Sequence, residues 1–457
     1  MDPKPKWLQE AVVARVAIDH AYETVMAQGA SCGWCARPIR LVGQTVTADA
    51  KTGEVVDLLS SAFLPGGELV KACGTRRATL CASCSARFQG DARRLILLGV
   101  AGDDDDTAGI ASRPKIFATL TAPSFGPVHR HRPEGGPCHP GPPGPCPHGK
   151  ARRCMRDHPD DDPRLGEALC SDCYDYASAV LFNATLSELW RRTMIYSIRN
   201  LARLAGCSEK TLRRVARVEY VKVVELQRRG VAHVHAVLRL DGVDGADPPP
   251  DLSAGLLIAA LRRAAREVRV PLPAGHGEVR WGTQFDAAAV LPGIEAEARR
   301  AANYLAKYAT KSAADSGALD HRVRSEDQID RIDVSPQIRR MVATAWELGA
   351  RPELAYLRLR RWAHALGVRG HFLTKSRRFS TTFGALRAIR QEYRKAQTKG
   401  VSNTSQSDDD REVVRVSDWE LVAQGWRSEA DALLVASRAR SVADARREAR
   451  LAAETGP

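Results

Sequence analysis

Residues 231–240 read VAHVHAVLRL, and in this segment His233 and His235 alternate with apolar residues. Alternate residues of a β-strand point to the same face, so both imidazoles face one side. A second strand-like run, residues 215–226, precedes it, and the turn sequence QRRG separates the two. The pattern predicts a hairpin whose paired histidines could bind a divalent metal. Two surface histidines on an edge strand are the alternative.

Glu225 strengthens the metal interpretation. It precedes His233 by eight residues, and a tight turn between them would bring its carboxylate beside or opposite that imidazole. A mixed nitrogen and oxygen ligand set with open positions suits Mg²⁺ or Mn²⁺. The sequence therefore predicts a metal site made of His233, His235 and Glu225.

A second chemical feature is the helical sequence AANYLAKYATK, residues 301–311. Residues four apart share a helix face, so Tyr304 and Tyr308 form one stripe, with Lys307 and Lys311 one turn from them. A phenol with its ordinary pKa of about 10 is a poor nucleophile. A nearby metal and ammonium groups would make attack by a phenolate feasible. An amphipathic helix that buries two tyrosines is the alternative.

Several segments together resemble a known family, the rolling-circle replication initiators of actinobacterial plasmids and integrative conjugative elements, within the HUH endonuclease superfamily. The resemblance spans roughly residues 30–395. It rests on the segments FATLT (117–121), HVH (233–235), YLAKY (304–308), VVELQRRGVAHVHAVLRLDG (223–242) and WAHALGVRGHFLTKSRRFSTTFGALR (362–387). It implies an α+β fold: an HUH-type, five-stranded antiparallel sheet with helices on one face, a zinc ribbon before it and a basic helical region after it.

The resemblance also implies an activity. The protein would nick and rejoin origin DNA, single-stranded or extruded, through a 5′-phosphotyrosyl intermediate, with a host helicase and DNA polymerase as partners. His233 and His235 match metal ligands, and Tyr308 matches the nucleophile. Tyr304 resembles the second tyrosine of two-tyrosine members, and Glu225 resembles a third ligand of viral members. Two alternatives stay open: an HUH relaxase or transposase that acts on a transfer origin or element end, and a non-catalytic, zinc-containing DNA-binding regulator.

The eleven cysteines point to metal rather than to disulfides, because their number is odd and no secretory signal is visible. Two C-x-x-C pairs predict one zinc site, formed by Cys32, Cys35, Cys81 and Cys84. Cys73 is a possible replacement, and a redox C-x-x-C is the alternative. Residues 132–162 are rich in Pro, Gly, His and Cys, and together with the following C-x-x-C pair they predict a second zinc site. Its ligands would be Cys146, Cys154, Cys170 and Cys173, with Cys138, His139, His148 and His158 in reserve.

The formal net charge of +14 favours a partner that carries phosphates. Residues 351–395 hold twelve Lys and Arg residues against two acids, interleaved with aromatics. Lys375, Arg377 and Arg378 are the predicted DNA contacts, and a solvated helical face is the alternative. GPCPHGKA (144–151) is not read as a nucleotide-binding loop, because Ala151 replaces the required hydroxyl. With no long apolar run, we expect a cytoplasmic protein without membrane contact.

The predicted organisation has five parts. They are a zinc-ribbon-like domain (1–100), an HUH endonuclease domain (110–315) with a zinc-binding insert at about 132–173, a basic helical DNA-binding region (316–396), a linker (397–411) and a helical tail (412–457).

Overall fold

The computed structural model describes residues 6–102, 109–273, 275–291, 295–311, 319, 321–399 and 412–455. The chain divides into two compact units, one formed by Met1–Phe88 with Ile389–Pro457 and the other by Gln89–Ala388. In chain order, the helices and strands are α1 (Lys6–Ser31), β1 (Ile39–Asp49), β2 (Val55–Ser60), β3 (Leu69–Lys71), α2 (Ala82–Val100), β4 (Lys115–Leu120), α3 (Tyr176–Leu204), α4 (Glu209–Val215), β5 (Ala216–Leu226), β6 (Ala232–Gly242), α5 (Ala254–Glu267), β7 (Val270–Pro271), β8 (Glu278–Val279), β9 (Phe285–Val290), α6 (Glu295–Lys311), α7 (Asp327–Asp330), α8 (Pro336–Leu348), α9 (Leu359–Trp362), β10 (Leu373–Lys375), α10 (Phe383–Lys399), β11 (Val413–Gln424) and α11 (Glu429–Thr455).

The second unit is built on a five-stranded sheet in the order β10-β5-β6-β4-β9, and every pairing is antiparallel. The predicted hairpin is β5 and β6, joined by a turn in which Gly230 has φ +80, a value that favours glycine. Because β6 lies in the middle of the sheet, the two histidines do not sit on an edge strand. The structure thus confirms the predicted mixed α+β class with an antiparallel sheet.

The sheet carries helices on both faces, which corrects the expectation of helices on one face. α3 and α5 pack on the face that bears Ile116, Val234 and Leu238, where the main apolar core lies. α6 lies over the opposite face, which carries His233 and His235, and contacts β5 and β6. An amphipathic helix buries its apolar side against another apolar surface. The buried side of α6 packs on the sheet beside the two histidines.

Residues 321–388 are part of the second unit and not a separate basic region. α8 packs against α3, and β10 forms an edge strand of the sheet. Leu354, Leu357 and Leu366 are fully buried. The arginines of this segment favoured the prediction of a basic surface, but the apolar residues between them are numerous enough to form part of the hydrophobic core. The charge pattern alone did not show this.

The first unit contains a second antiparallel sheet, in which β1 pairs with β11, β2 and β3. The prediction of a helical tail is wrong for its first half, because β11 is a twelve-residue strand. Its β-branched residues favour a strand only where a partner exists, and the partner lies some 370 residues earlier in the chain. Most of the predicted linker, residues 400–411, lies outside the described residues, and 397–399 belong to α10.

Throughout the described part of the chain, none of the helices has both the length and the apolar character needed to cross a bilayer.

Candidate active site and metal-binding clusters

The hairpin brings Glu225 directly opposite His233, as predicted. Glu225 Oε2 lies 3.2 Å from Nε2 of His235, and the two imidazole rings are 4.6 Å apart. Nδ1 of His233 is buried and has no hydrogen-bond partner among the described residues. The three predicted metal ligands therefore form one cluster on the α6 side of the sheet.

The imidazole of His233 is held in its neutral form. Burial lowers its pKa to about 4, and the neighbouring His235 and Arg229 act in the same direction. A neutral imidazole has a lone pair to offer a metal, whereas an imidazolium has none. Burial thus keeps this side chain ready for ligation at neutral pH.

Thr119 is a site residue that the sequence analysis missed. It pairs with His235 across β4 and β6, and its hydroxyl Oγ1 lies 3.1 Å from Nδ1 of that imidazole. A hydrogen bond to one ring nitrogen orients the ring and determines which nitrogen faces a metal. The FATLT segment indicated a strand of the sheet, but only the register of that strand places Thr119 beside the histidine.

The donor set fits a divalent cation in kind, since it offers an unpartnered imidazole nitrogen, a second imidazole and a carboxylate. However, the donor atoms of these three side chains do not all lie within 4.8 Å of one another. Three other Cys and His groups have all their donor atoms within 4.8 Å of one another, and within the described residues this set is not among them.

Tyr304 stands against this cluster. Its ring meets the His235 ring edge-on, with 5.3 Å between the centroids, and meets Phe117 at 5.4 Å. Its side chain is 41% exposed, so it is not a buried core tyrosine, and Lys307 is also exposed. Tyr308 and Lys311 lie at the end of the same helix, but their side chains are outside the described residues. The assignment of Tyr308 as the nucleophile stays a prediction.

Asn183 is a second residue that the sequence analysis missed, and it determines where β6 begins. Its side-chain oxygen accepts a hydrogen bond from the backbone N–H of Ala232, and its nitrogen donates to the carbonyls of Gly230 and Leu366. The residue is fully buried in α3. An asparagine inside an otherwise apolar helix face was the available signal, because a buried amide needs partners.

The first cysteine cluster differs from the prediction by one ligand. Cys35, Cys73, Cys81 and Cys84 converge, whereas Cys32 lies outside the group, with its thiol directed to the carbonyl of Gly29. The sulfur of Cys81 is 3.8 Å from that of Cys35, and the sulfur of Cys73 is 3.7 Å from that of Cys84. A tetrahedral zinc with Zn–S bonds of ~2.3 Å requires edges of about 3.8 Å. The cluster thus has the dimensions of a structural zinc site.

The insert contains two clusters where one was predicted. They are His129, Cys138, Cys154 and His158, and Cys146, His148, Cys170 and Cys173. The expected set of Cys146, Cys154, Cys170 and Cys173 is therefore wrong at Cys154, and His148 takes its place. Pairs of ligands alternate between the two clusters along the chain. The spacing of the cysteines and histidines in the sequence does not predict this grouping, because the grouping depends on the path of the loop in three dimensions.

Neighbouring groups support both clusters of the insert. His158 places Nδ1 2.7 Å from the Asp162 carboxylate, and a hydrogen bond from Arg164 helps to hold the pKa of that carboxyl below its usual range. A carboxylate behind a ligating imidazole orients the ring. Burial alone would raise the pKa of Cys146, but hydrogen bonds from the backbone at His148 and Lys150 lower this pKa to about 6. The lower pKa favours the thiolate, which is the form that binds metal.

The predicted DNA contacts are not equivalent. Lys375 lies on β10, is half-buried, and donates through Nζ to the carbonyls of Ser376 and Arg377; burial lowers its pKa. Arg377 and Arg378 follow the strand and are exposed. The two arginines can reach a phosphate, whereas the lysine amine is already engaged by the backbone.

Comparison with known proteins places the chain in a protein family. A family model described as "RepSA: Replication initiator protein, pSAM2" matches residues 21–440. A replication initiator protein of Streptomyces ambofaciens is 42% identical over 423 residues, which cover 89% of this chain and 87% of that protein. No solved structure matches the chain. The chain belongs to this family of replication initiators, and the wider HUH assignment remains a prediction.

Proposed function

We propose that this protein initiates plasmid replication by nicking and rejoining one strand of origin DNA with a tyrosine of α6. The observation that carries the proposal is the contact between Tyr304 and His235, which itself meets the Glu225 carboxylate. An exposed phenol next to two imidazoles and a carboxylate suits phosphoryl transfer to tyrosine. Membership of the replication initiator family supports origin DNA as the substrate.

The chemistry is a transesterification. The phenolic oxygen of one tyrosine attacks the scissile phosphorus, and its proton is lost to solvent. The bond from phosphorus to the 3′ oxygen breaks, and that oxygen takes a proton. The products are a 5′-phosphotyrosyl link and a free 3′-OH. The covalent link conserves the ester, so a later attack by a 3′-OH can rejoin the strand without an energy source.

Each side chain has a proposed role. His233, His235 and Glu225 would hold a Mg²⁺ or Mn²⁺ ion. When bound, the ion supplies neutralisation of charge on the scissile phosphate. Thr119 orients His235. The family resemblance assigns the first attack to Tyr308 and a second one to Tyr304, while the position of Tyr304 supports a direct part in cleavage. Lys307 and Lys311 would favour the phenolate. The free 3′-OH would serve a host polymerase after a host helicase opens the strand.

The test uses the whole protein and a 3′-labelled single strand from the origin of the element that encodes it, with Mn²⁺ or EDTA. A labelled species that migrates with the protein on a denaturing gel supports the proposal. Tyr304→Phe, Tyr308→Phe and the double variant identify the nucleophile, and Tyr356→Phe, an exposed tyrosine in the same unit, is the control. Absence of an adduct with any metal would overturn the proposal and favour the non-catalytic regulator.

The same gel tests the relaxase or transposase alternative. If an adduct forms on a transfer origin or an element end and not on the replication origin, the chemistry stands and the substrate assignment is wrong.

A further inference from the structure

A groove of about 490 Å³ opens beside the candidate active site. The tip of the β5–β6 hairpin, Gln227 to Arg229, lines the groove, and so does Thr121, the residue that follows β4. The cysteine- and histidine-rich insert also lines the groove, for example through His139, as does Arg130 just before the insert. All three parts belong to the second unit.

The groove begins where the candidate metal ligands end. Gln227, just past the end of β5, follows Glu225 by two residues, and Thr121, just past the end of β4, follows Thr119 by two residues. A strand advances about 3.3 Å per residue, so the groove starts about 7 Å along these strands from the site. A DNA strand whose phosphate lies at His235 and Tyr304 would continue into it or leave in the opposite direction.

The walls are fixed to each other. Gly166 of the insert has φ +91, and a Cβ there would lie 2.5 Å from the carbonyl carbon of Arg228. Gln337, which is 2% exposed, donates to the carbonyl of Arg229 and accepts from the backbone N–H of Ala168. The insert is therefore seated on the hairpin tip, and the groove is a preformed feature.

The lining is basic. It contains Arg130, Arg228 and Arg229, and Asp160 is the one acid that lines it within the described residues. Arg228 donates to the carbonyl of Asp160 at 2.6 Å, and its guanidinium is 3.7 Å from the carboxylate, which is 86% exposed. Nδ1 of His139 is buried without a hydrogen-bond partner in the described part of the structure.

We propose that this groove binds the single-stranded DNA that adjoins the nicked phosphate on one side, with Arg130 and Arg228 on its phosphates. The inference rests on the proposed function, because it takes the DNA path from the active site. Backbone phosphates are the ligands that a row of guanidinium groups recognises. The volume is that of a small-ligand pocket, about 300–1,000 Å³, and suits one or two nucleotides of a single strand rather than a duplex. The insert thus forms part of the proposed DNA channel.

The test measures binding by fluorescence anisotropy with the full chain and three single strands: one centred on the nick, one truncated on its 5′ side and one truncated on its 3′ side. Arg228→Ala should weaken binding of the centred strand about tenfold and lower the slope of log affinity against log salt by about one. It should have no effect on the strand that lacks the segment in the groove. Arg153→Ala removes the same charge from an exposed position of the insert outside the groove and is the control.

A variant that is expected to bind more tightly separates the loss of a DNA contact from a loss of affinity caused by misfolding. Asp160→Asn removes the acid from the groove and should tighten binding of the centred strand severalfold. The proposal is overturned if Arg228→Ala weakens both truncated strands equally, if Arg153→Ala has the same effect, or if Asp160→Asn leaves affinity unchanged. Adduct formation by the wild type is scored separately, so an absent adduct would reject the nicking chemistry, while the binding data would still decide the groove.

Discussion

The ring of Tyr304 meets the ring of His235 at 89°, with 5.3 Å between their centroids. The two residues are 69 positions apart in the chain and lie on a helix and a strand that pack face to face. This contact brings the histidine pair of β6 and the tyrosine stripe of α6 together in one candidate site.

Thr119→Val should impair adduct formation while leaving the fold intact. The substitution keeps the shape of the side chain but removes the hydroxyl that lies 3.1 Å from Nδ1 of His235. Loss of such a supporting contact typically costs about 10–100-fold in metal affinity. The Mn²⁺ concentration that gives half-maximal adduct should rise within that range.

The matched control is Thr374→Val, in the same sheet, because the Thr374 hydroxyl is buried without a hydrogen-bond partner among the described residues. If both variants need the same Mn²⁺ concentration as the wild type, Thr119 does not position the imidazole.

Asn183→Ala should destabilise the second unit by about 3 kcal/mol, since it leaves the N–H of Ala232 and two carbonyls without partners in the interior. Urea unfolding followed by tryptophan fluorescence measures the change. Thr185→Val is the comparison on the same helix, because its hydroxyl bonds only to carbonyls of its own helix. We expect it to cost less than 1 kcal/mol. Equal effects of the two variants would refute the special position of Asn183.

Metal analysis should find about three zinc ions per chain, one for each converging Cys and His group. Cys73→Ser and Cys138→Ser should each lower the content, because a thiolate ligand is lost. Cys32→Ser and Cys207→Ser should not, since neither residue belongs to a group. A loss of zinc in Cys32→Ser together with full zinc in Cys73→Ser would restore the ligand set expected from the C-x-x-C spacing.

Lys222→Met should raise stability at neutral pH. Burial lowers the pKa of Lys222 to about 8, and its amine lies 5.7 Å above the Trp190 ring in the core. At pH 7 the buried amine is still charged, and the shift from about 10.4 corresponds to about 3 kcal/mol. Between pH 8 and 10.4 the unfolded chain binds more protons than the folded chain. The stability of the wild type therefore rises with pH in that window.

The advantage of Lys222→Met over the wild type should accordingly shrink from pH 7 to pH 9 in thermal unfolding experiments. Lys210→Met, at an exposed position, should keep the pH dependence of the wild type. A wild type that gains no stability relative to Lys222→Met on raising the pH would show that the amine is hydrated in the folded protein.

The hairpin and the clustering of its candidate metal ligands could be predicted because they depend on local periodicity. Alternation places His233 and His235 on one face, and the five residues between β5 and β6, 227–231, bring Glu225 opposite His233. The helix of Tyr304 is equally local. The strand β11 and the edge strand β10 could not be predicted in the same way, because each takes its conformation from a partner strand remote in the chain.

The amino-acid sequence alone determined the chemistry available to this protein: the donors of the histidine site, the tyrosine stripe, the abundance of cysteine ligands and the resemblance to replication initiators. Only the tertiary structure decided which ligands share a cluster, that Cys73 replaces Cys32, that the insert holds two interleaved groups, and that Tyr304 faces His235. The difference lies in the distance along the sequence over which each effect acts. Side-chain periodicity is set by bond geometry within a few residues, whereas the convergence of donor atoms depends on how distant segments pack.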